Sequence, residues 1–157
     1  MTEKLWWLRD HQAPGGRREV RKHYERASDD LQAAFDVHWE FLSVRPREQW
    51  VRPAAHKLRP EHKNAYRDFF EFRFKAENTE QRPLGYFGPS ARRFTLLIWA
   101  IEKGSKFVPP DAVQTCEKRR EAIDAGVASA VVWDKDENDE NDTARKASPQ
   151  TVPGRLR

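Results

Sequence analysis

Apolar residues fall along this chain first in a short run, then at helical spacing, then in alternation. Lys4-Leu5-Trp6-Trp7-Leu8 reads as a short strand, stopped by the turn signal Pro14-Gly15-Gly16. From Arg17 to about Ser43 the period is helical. Ser28 followed by Asp29 and Asp30 is an N-cap with first-turn acids, so two helices are predicted, over 17–27 and 29–42. In the second, Leu31, Phe35, His38, Trp39 and Leu42 share one face, a stripe that reads as core with His38 packed in it. Residues 44–64 contain Pro46, Pro53 and Pro60, which block long regular structure. That segment reads as a connecting loop pinned by Trp50 and Leu58.

Alternation takes over next. Strands are predicted at 66–75, 81–88 and 92–103, with turns at Asn78-Thr79-Glu80 and Gly88-Pro89-Ser90. Pro109 and Pro110 suit the first turn of a final helix at 110–124, with Ala112, Cys116 and Ile123 inward and Gly126 stopping it. Val127 to Trp133 reads as a short docked extension, and 134–157 as a disordered charged tail. The expected architecture is one α+β domain over 1–133. It has a twisted, mainly antiparallel four-stranded sheet, an N-terminal helix pair on one face and a C-terminal helix.

Charge adds a partner class to this picture. Of 157 residues, 34% are charged and the formal net charge is +4. The acids and bases of 134–157 nearly balance, so the excess of cations lies in the domain and favours an anionic partner, nucleic acid or an acidic protein segment. Arg17, Arg18, Arg21, Lys22 and Arg26 make the first helix strongly basic, as a solvated face or as a partner or RNA contact. Cys116 is the sole cysteine, which excludes an intramolecular disulfide and a thiolate-cluster zinc site. The five histidines lack ligand spacing, so neither metal nor cofactor is expected. With no signal-peptide pattern and no long apolar run, a cytoplasmic protein away from membranes is expected.

Strand alternation then suggests chemistry. It sends Phe70, Phe72 and Phe74 to one side and Phe69, Glu71, Arg73 and Lys75 to the other. Arg73, Arg82, Tyr86, Trp99 and Lys103 are predicted to share one open, concave face, with Lys75, Arg93 and Lys106 as further substrate contacts. Metal-free phosphodiester cleavage needs donors for the growing phosphate charge, a base for the ribose 2′-hydroxyl and an acid for the leaving oxygen. Arginine's planar fork suits the phosphate. Glu71 or a lysine is a candidate base, Tyr86 or Lys103 a candidate acid, and Trp99 a stacking surface for an unpaired base. Equally, Glu71 and Arg73 are a pair that a wet sheet face carries without any catalytic role.

At these residues the chain resembles the RelE/ParE superfamily of toxins from type II toxin–antitoxin systems, and its HigB-like, phage-derived branch in particular. Phe70-Glu71-Phe72-Arg73-Phe74, Arg82-Pro83-Leu84-Gly85-Tyr86-Phe87 and Leu96-Leu97-Ile98-Trp99-Ala100-Ile101-Glu102-Lys103 with downstream Pro109 are similar, in order and spacing, to that branch's motifs. The resemblance runs from about Leu5 to Ile123. It implies a RelE-like fold and, for several members, cleavage of mRNA in the ribosomal decoding site. On the ParE side it implies inhibition of DNA gyrase. Carried over by position, Arg73 and Arg82 hold the scissile phosphate and Lys103 is the basic residue ending the last strand. Lys106 shares its turn, and Tyr86 assists. Implied partners are a cognate antitoxin of helix-turn-helix type, the ribosome and mRNA. Trp99 stands where the branch has histidine, Gly104 replaces its second lysine, and Phe69 and Glu71 stand where RelE carries lysines. The alternatives are a non-catalytic inhibitor acting through the first helix and tail, or an inactive phage-derived remnant.

Overall fold

The computed structural model describes residues 3–60, 62 and 65–134. The tail expectation for 135–157 lies outside the described residues. Helix α1 spans Glu19–Arg26 and α2 spans Asp29–Ser43. The Ser28 side chain accepts the Leu31 N–H at 3.1 Å, satisfying one of the donors that a helix start leaves free. Leu31, Phe35, Trp39 and Leu42 of α2 are buried, as their spacing requires. Helix α3, Ala112–Asp124, buries Ala112, Val113 and Cys116. Gly126 follows it at φ +76°, a left-handed position that a helix end commonly assigns to glycine.

The sheet overturns the four-stranded expectation. Eight strands are described: β1 Trp7–Gln12, β2 Ala55–Lys57, β3 Phe69–Phe72, β4 Phe74–Ala76, β5 Thr79–Phe87, β6 Arg93–Lys103, β7 Lys106–Val108 and β8 Ser129–Val132. Their order is β2-β3-β5-β6-β1-β8, with β4 also on β5 and β7 on β6. The sheet is mixed, because β1 runs parallel to β6 while the other pairs are antiparallel. The additional strands are three or four residues long and carry no alternation of their own. Pairing with a neighbour makes them strands, and that is a non-local cause.

Strand β1 lies further along than the 4–8 expectation, and Arg9, Asp10 and His11 are buried in it. Its two flanks are covered by β6 and β8. Arg18 donates to Asp10 at 2.9 Å and caps the carbonyls of Val132 and Trp133 at 3.0 and 3.2 Å. Burial still dominates there: it pushes the Asp10 carboxyl up to about 6, against the pull of Arg18. It likewise lowers His11 to about 4.

The two faces are packed differently. Helices α1 and α2 lie on an aromatic face containing Phe35, Trp39, Trp50, Phe70, Phe72, Phe94 and Trp99. Trp50 is 1% exposed and contacts the rings of Phe70, Phe72, Phe87 and Phe94. Helix α3 covers a smaller cluster on the other face, built on Phe69, Leu84, Tyr86, Leu97 and Ala100. A bulge shifts the β5–β6 register: Leu84 faces Ile98 while Gly85 faces Leu96, so Leu97 is extra. Gly85 is required beside it, since a Cβ there would lie 2.2 Å from the Thr95 carbonyl oxygen. Strands β1 and β7 occupy the same edge of β6, at 93–96 and 101–103, leaving 97–100 between them. Among the described residues no helix is long and apolar enough to cross a membrane.

Candidate functional site

Helix α3 covers only part of its sheet face. Beyond it, β3, β5, β6 and the residue joining β3 to β4 present Glu71, Arg73, Arg82, Glu80 and Glu102 in a chain of alternating charge. Arg82 Nε donates to Glu102 Oε1 at 2.9 Å, its Nη2 to Glu80 Oε1 at 3.3 Å, and its Nη1 to the Gln81 carbonyl at 2.8 Å. Glu80 and Glu102 are direct cross-strand partners, so Arg82 separates two like charges that would otherwise repel. Arg73 Nη1 donates to Glu71 Oε2 at 2.5 Å and lies 3.9 Å from Glu102 Oε1. The Arg82 and Glu71 side chains are each 4% exposed. Both are members of a buried network, a costly arrangement unless every partner is kept.

The network ends on a histidine. His56 on β2 is the cross-strand partner of Glu71 on β3, which brings its Nδ1 to 3.7 Å from Glu71 Oε2. That is an electrostatic contact just beyond hydrogen-bond length. His56 is partly exposed and lines a cleft of about 400 Å³ together with Arg52, Glu71, Arg73, Glu102 and Lys106. Arg52 and Lys106 form no ion pair among the described residues. The cleft therefore gathers the ion-paired Glu71, Arg73 and Glu102, two cations without an ion pair among the described residues, and the His56 ring. Lys106 is presented by the tight β6–β7 hairpin, whose Gly104 and Ser105 both take positive φ, +56° and +67°, as the common two-residue hairpin turn requires.

The residues singled out by alternation do not all meet here. Arg73 and Arg82 do lie together, but all three Arg82 nitrogens are engaged by Glu102, Glu80 and the Gln81 carbonyl, and Arg73 Nη1 is engaged by Glu71. Tyr86 is on the same side of the sheet yet 2% exposed beneath α3, with Arg120 stacked over its ring at 4.5 Å. Burial pushes its phenol up to about 12, which unsuits it as a proton donor at neutral pH. Trp99 points to the opposite face, where it contacts Phe35 and donates from Nε1 to Gln81 at 2.8 Å. The bulge at Leu97 explains that reversal, because one extra residue exchanges the faces of those beyond it. Lys103 is exposed at the hairpin opposite Lys106, and Lys75 is exposed opposite Glu80. Arg93 is buried at the far end of β6, donating to the Ser90 hydroxyl.

His56 and Arg52 were missed by the sequence reading. Both sit in the proline-rich stretch that reads as a loop: Arg52 lies in a turn there, and the only signal for His56 is a three-residue strand that needs β3 to exist. Among the described residues no three His, Cys, Asp or Glu side chains converge as a metal-ligand set. No family model, curated protein or solved structure matches the chain.

Proposed function

We propose that this protein is a metal-independent endoribonuclease acting as the toxin of a type II toxin–antitoxin pair, cutting mRNA on the ribosome in the cytoplasm. The observation that carries this reading is the His56–Glu71 pair, set in a cleft that Arg52 and Lys106 also line. The motif resemblance supplies the substrate class. In this reading Glu71 orients His56 through Nδ1, leaving Nε2 to take the proton of a ribose 2′-hydroxyl. The 2′-oxygen attacks phosphorus, the bond to the 5′-oxygen breaks, and Lys106 protonates that leaving oxygen. The products are a 2′,3′-cyclic phosphate and a 5′-hydroxyl end. Arg52 offsets the charge that grows on the phosphoryl oxygens. Arg73 and Arg82 then act as scaffold, holding Glu71 and Glu102 in place.

The test is mapping of new mRNA 5′ ends after induction, beside growth. His56→Gln should lower the cleavage rate by roughly 10²–10⁴-fold, the usual contribution of a positioned acid–base group. Unchanged ends in that variant would remove His56 from the mechanism, and absence of both cleavage and arrest in the unaltered protein would remove the toxin reading. A non-catalytic reading, an inhibitor that engages DNA gyrase or another protein through α1, is favoured by that helix's basic side. Arrest with intact mRNA and lost supercoiling would select it.

A further inference from the structure

A second cleft, of about 450 Å³, opens where β1 and β7 leave the edge of β6 at 97–100. Four cations surround it: Arg17 just before α1, Lys22 and Arg26 on α1, and Arg119 on α3. Glu19 is the sole acid in its lining, and it is bound by Arg119 and by Arg17. Arg119 is held rigidly, donating from Nη1 to the Leu97 carbonyl at 2.6 Å. Lys22 and Arg26 pair with no acid among the described residues and stand one helical turn apart, about 6 Å. The remaining wall is aromatic: the His23 ring lies on Trp99, centroids 4.9 Å apart and planes inclined at 36°. Burial lowers His23 from its ordinary value, which favours the uncharged ring.

We propose that this cleft binds single-stranded RNA, with Lys22 and Arg26 on successive backbone phosphates and a base against the His23 ring. Cations alone would serve an acidic peptide as well as a phosphate backbone. The heteroaromatic wall favours the nucleic acid, because every base offers a face to stack and an acidic side chain offers none. The inference rests on the ribonuclease reading only for the identity of the bound strand, and binding is separable from cutting.

The experiment uses the full chain carrying His56→Gln, which keeps the probe intact, and a fluorescein-labelled 12-nucleotide single-stranded RNA read by anisotropy. Lys22→Gln with Arg26→Gln should weaken binding about tenfold near 100 mM salt and flatten the log K against log salt slope by about 1.4, or 0.7 per lost cation. One control removes equal charge elsewhere: Arg59→Gln with Lys118→Gln, exposed residues outside the cleft, should leave the affinity within about twofold. Thermal unfolding of both variants confirms that exposed glutamines have not disturbed the fold. Equal weakening by the two pairs would overturn the inference, as a general effect of net charge. Displacement of the RNA by an oligoglutamate of matched charge at equal concentration would also overturn it, in favour of an acidic protein partner. If the unaltered chain proves not to be a nuclease but the RNA is bound with the expected slope change, the cleft stands and the cleavage reading falls.

Discussion

Arg82→Ala is the substitution for which the structure makes the sharpest demand. By sequence alone it is a clean test of a phosphate-binding arginine. In the folded protein its guanidinium is 4% exposed and all three nitrogens have partners on Glu102, Glu80 and the Gln81 carbonyl. Deleting it leaves two facing glutamates without the cation between them. Breaking a buried ion pair from one side costs roughly 3–5 kcal/mol, and the solvent reaching Glu80 and Glu102 puts this case at the lower end, about 3 kcal/mol. For a domain of this size that is a fall in Tm of about 6–12 °C. Urea unfolding monitored by circular dichroism measures it directly. Arg82→Leu combined with Glu102→Leu should recover at least about 1 kcal/mol over the sum of the single changes, since the surviving charge is removed with its partner. A loss below about 1 kcal/mol in Arg82→Ala, or strict additivity in the double variant, would refute the scaffold role. Activity assays of Arg82 variants therefore need correction for the folded fraction.

Three further outcomes follow from the same structure. Asp10 stays protonated up to about 6 in the fold against 3.8 unfolded, so its contribution to stability is full below pH 3.8 and is lost as pH rises through 6. Asp10→Asn should accordingly gain on the unaltered chain by about 3 kcal/mol between pH 4 and 7 in urea titrations, and parallel curves would contradict this. His11, lowered to about 4 from 6.5, acts in the opposite sense: its contribution is present above 6.5 and lost as pH falls through 4. The two slopes largely cancel between pH 4 and 6, so His11→Gln should unmask a rise in stability toward acid over that range. Gly85→Ala places a methyl 2.2 Å from a backbone oxygen of the neighbouring strand, and the cost should exceed about 3 kcal/mol or abolish soluble expression.

The helices were legible because their signals are local. Ser28, the acids after it and the Leu31–Phe35–Trp39–Leu42 stripe specify α2 without reference to anything distant. The long strands β5 and β6 were legible as strands, but their faces were not. Nothing in Arg93–Lys103 announces that Leu97 is extra, and alternation carried straight through it assigns Trp99 to the wrong side. β1 lies later than its apolar run because Arg9, Asp10 and His11 carry no local strand signal, and only Arg18 and β8 supply what these buried polar groups need. His56 was invisible for a related reason. A three-residue strand has no period to read, and its meaning comes entirely from standing opposite Glu71.

The pairing of β1 has a consequence for the order in which the molecule is completed. Trp7 waits for Arg93, and Arg9 for Val132, so the first strand made has its neighbours some 90 and 120 residues later. At a ribosomal rate of about 5–20 residues per second, β1 is out for on the order of 10 s before β8 is synthesised. The hairpins and short crossings from β2 to β7 need no such wait, and they hold His56, Glu71, Arg73, Glu102 and Lys106. A nascent chain can thus assemble the charged cleft while its opening strand, with Trp7 and Leu8, is still unshielded. The last of the described strands closes the sheet around the first.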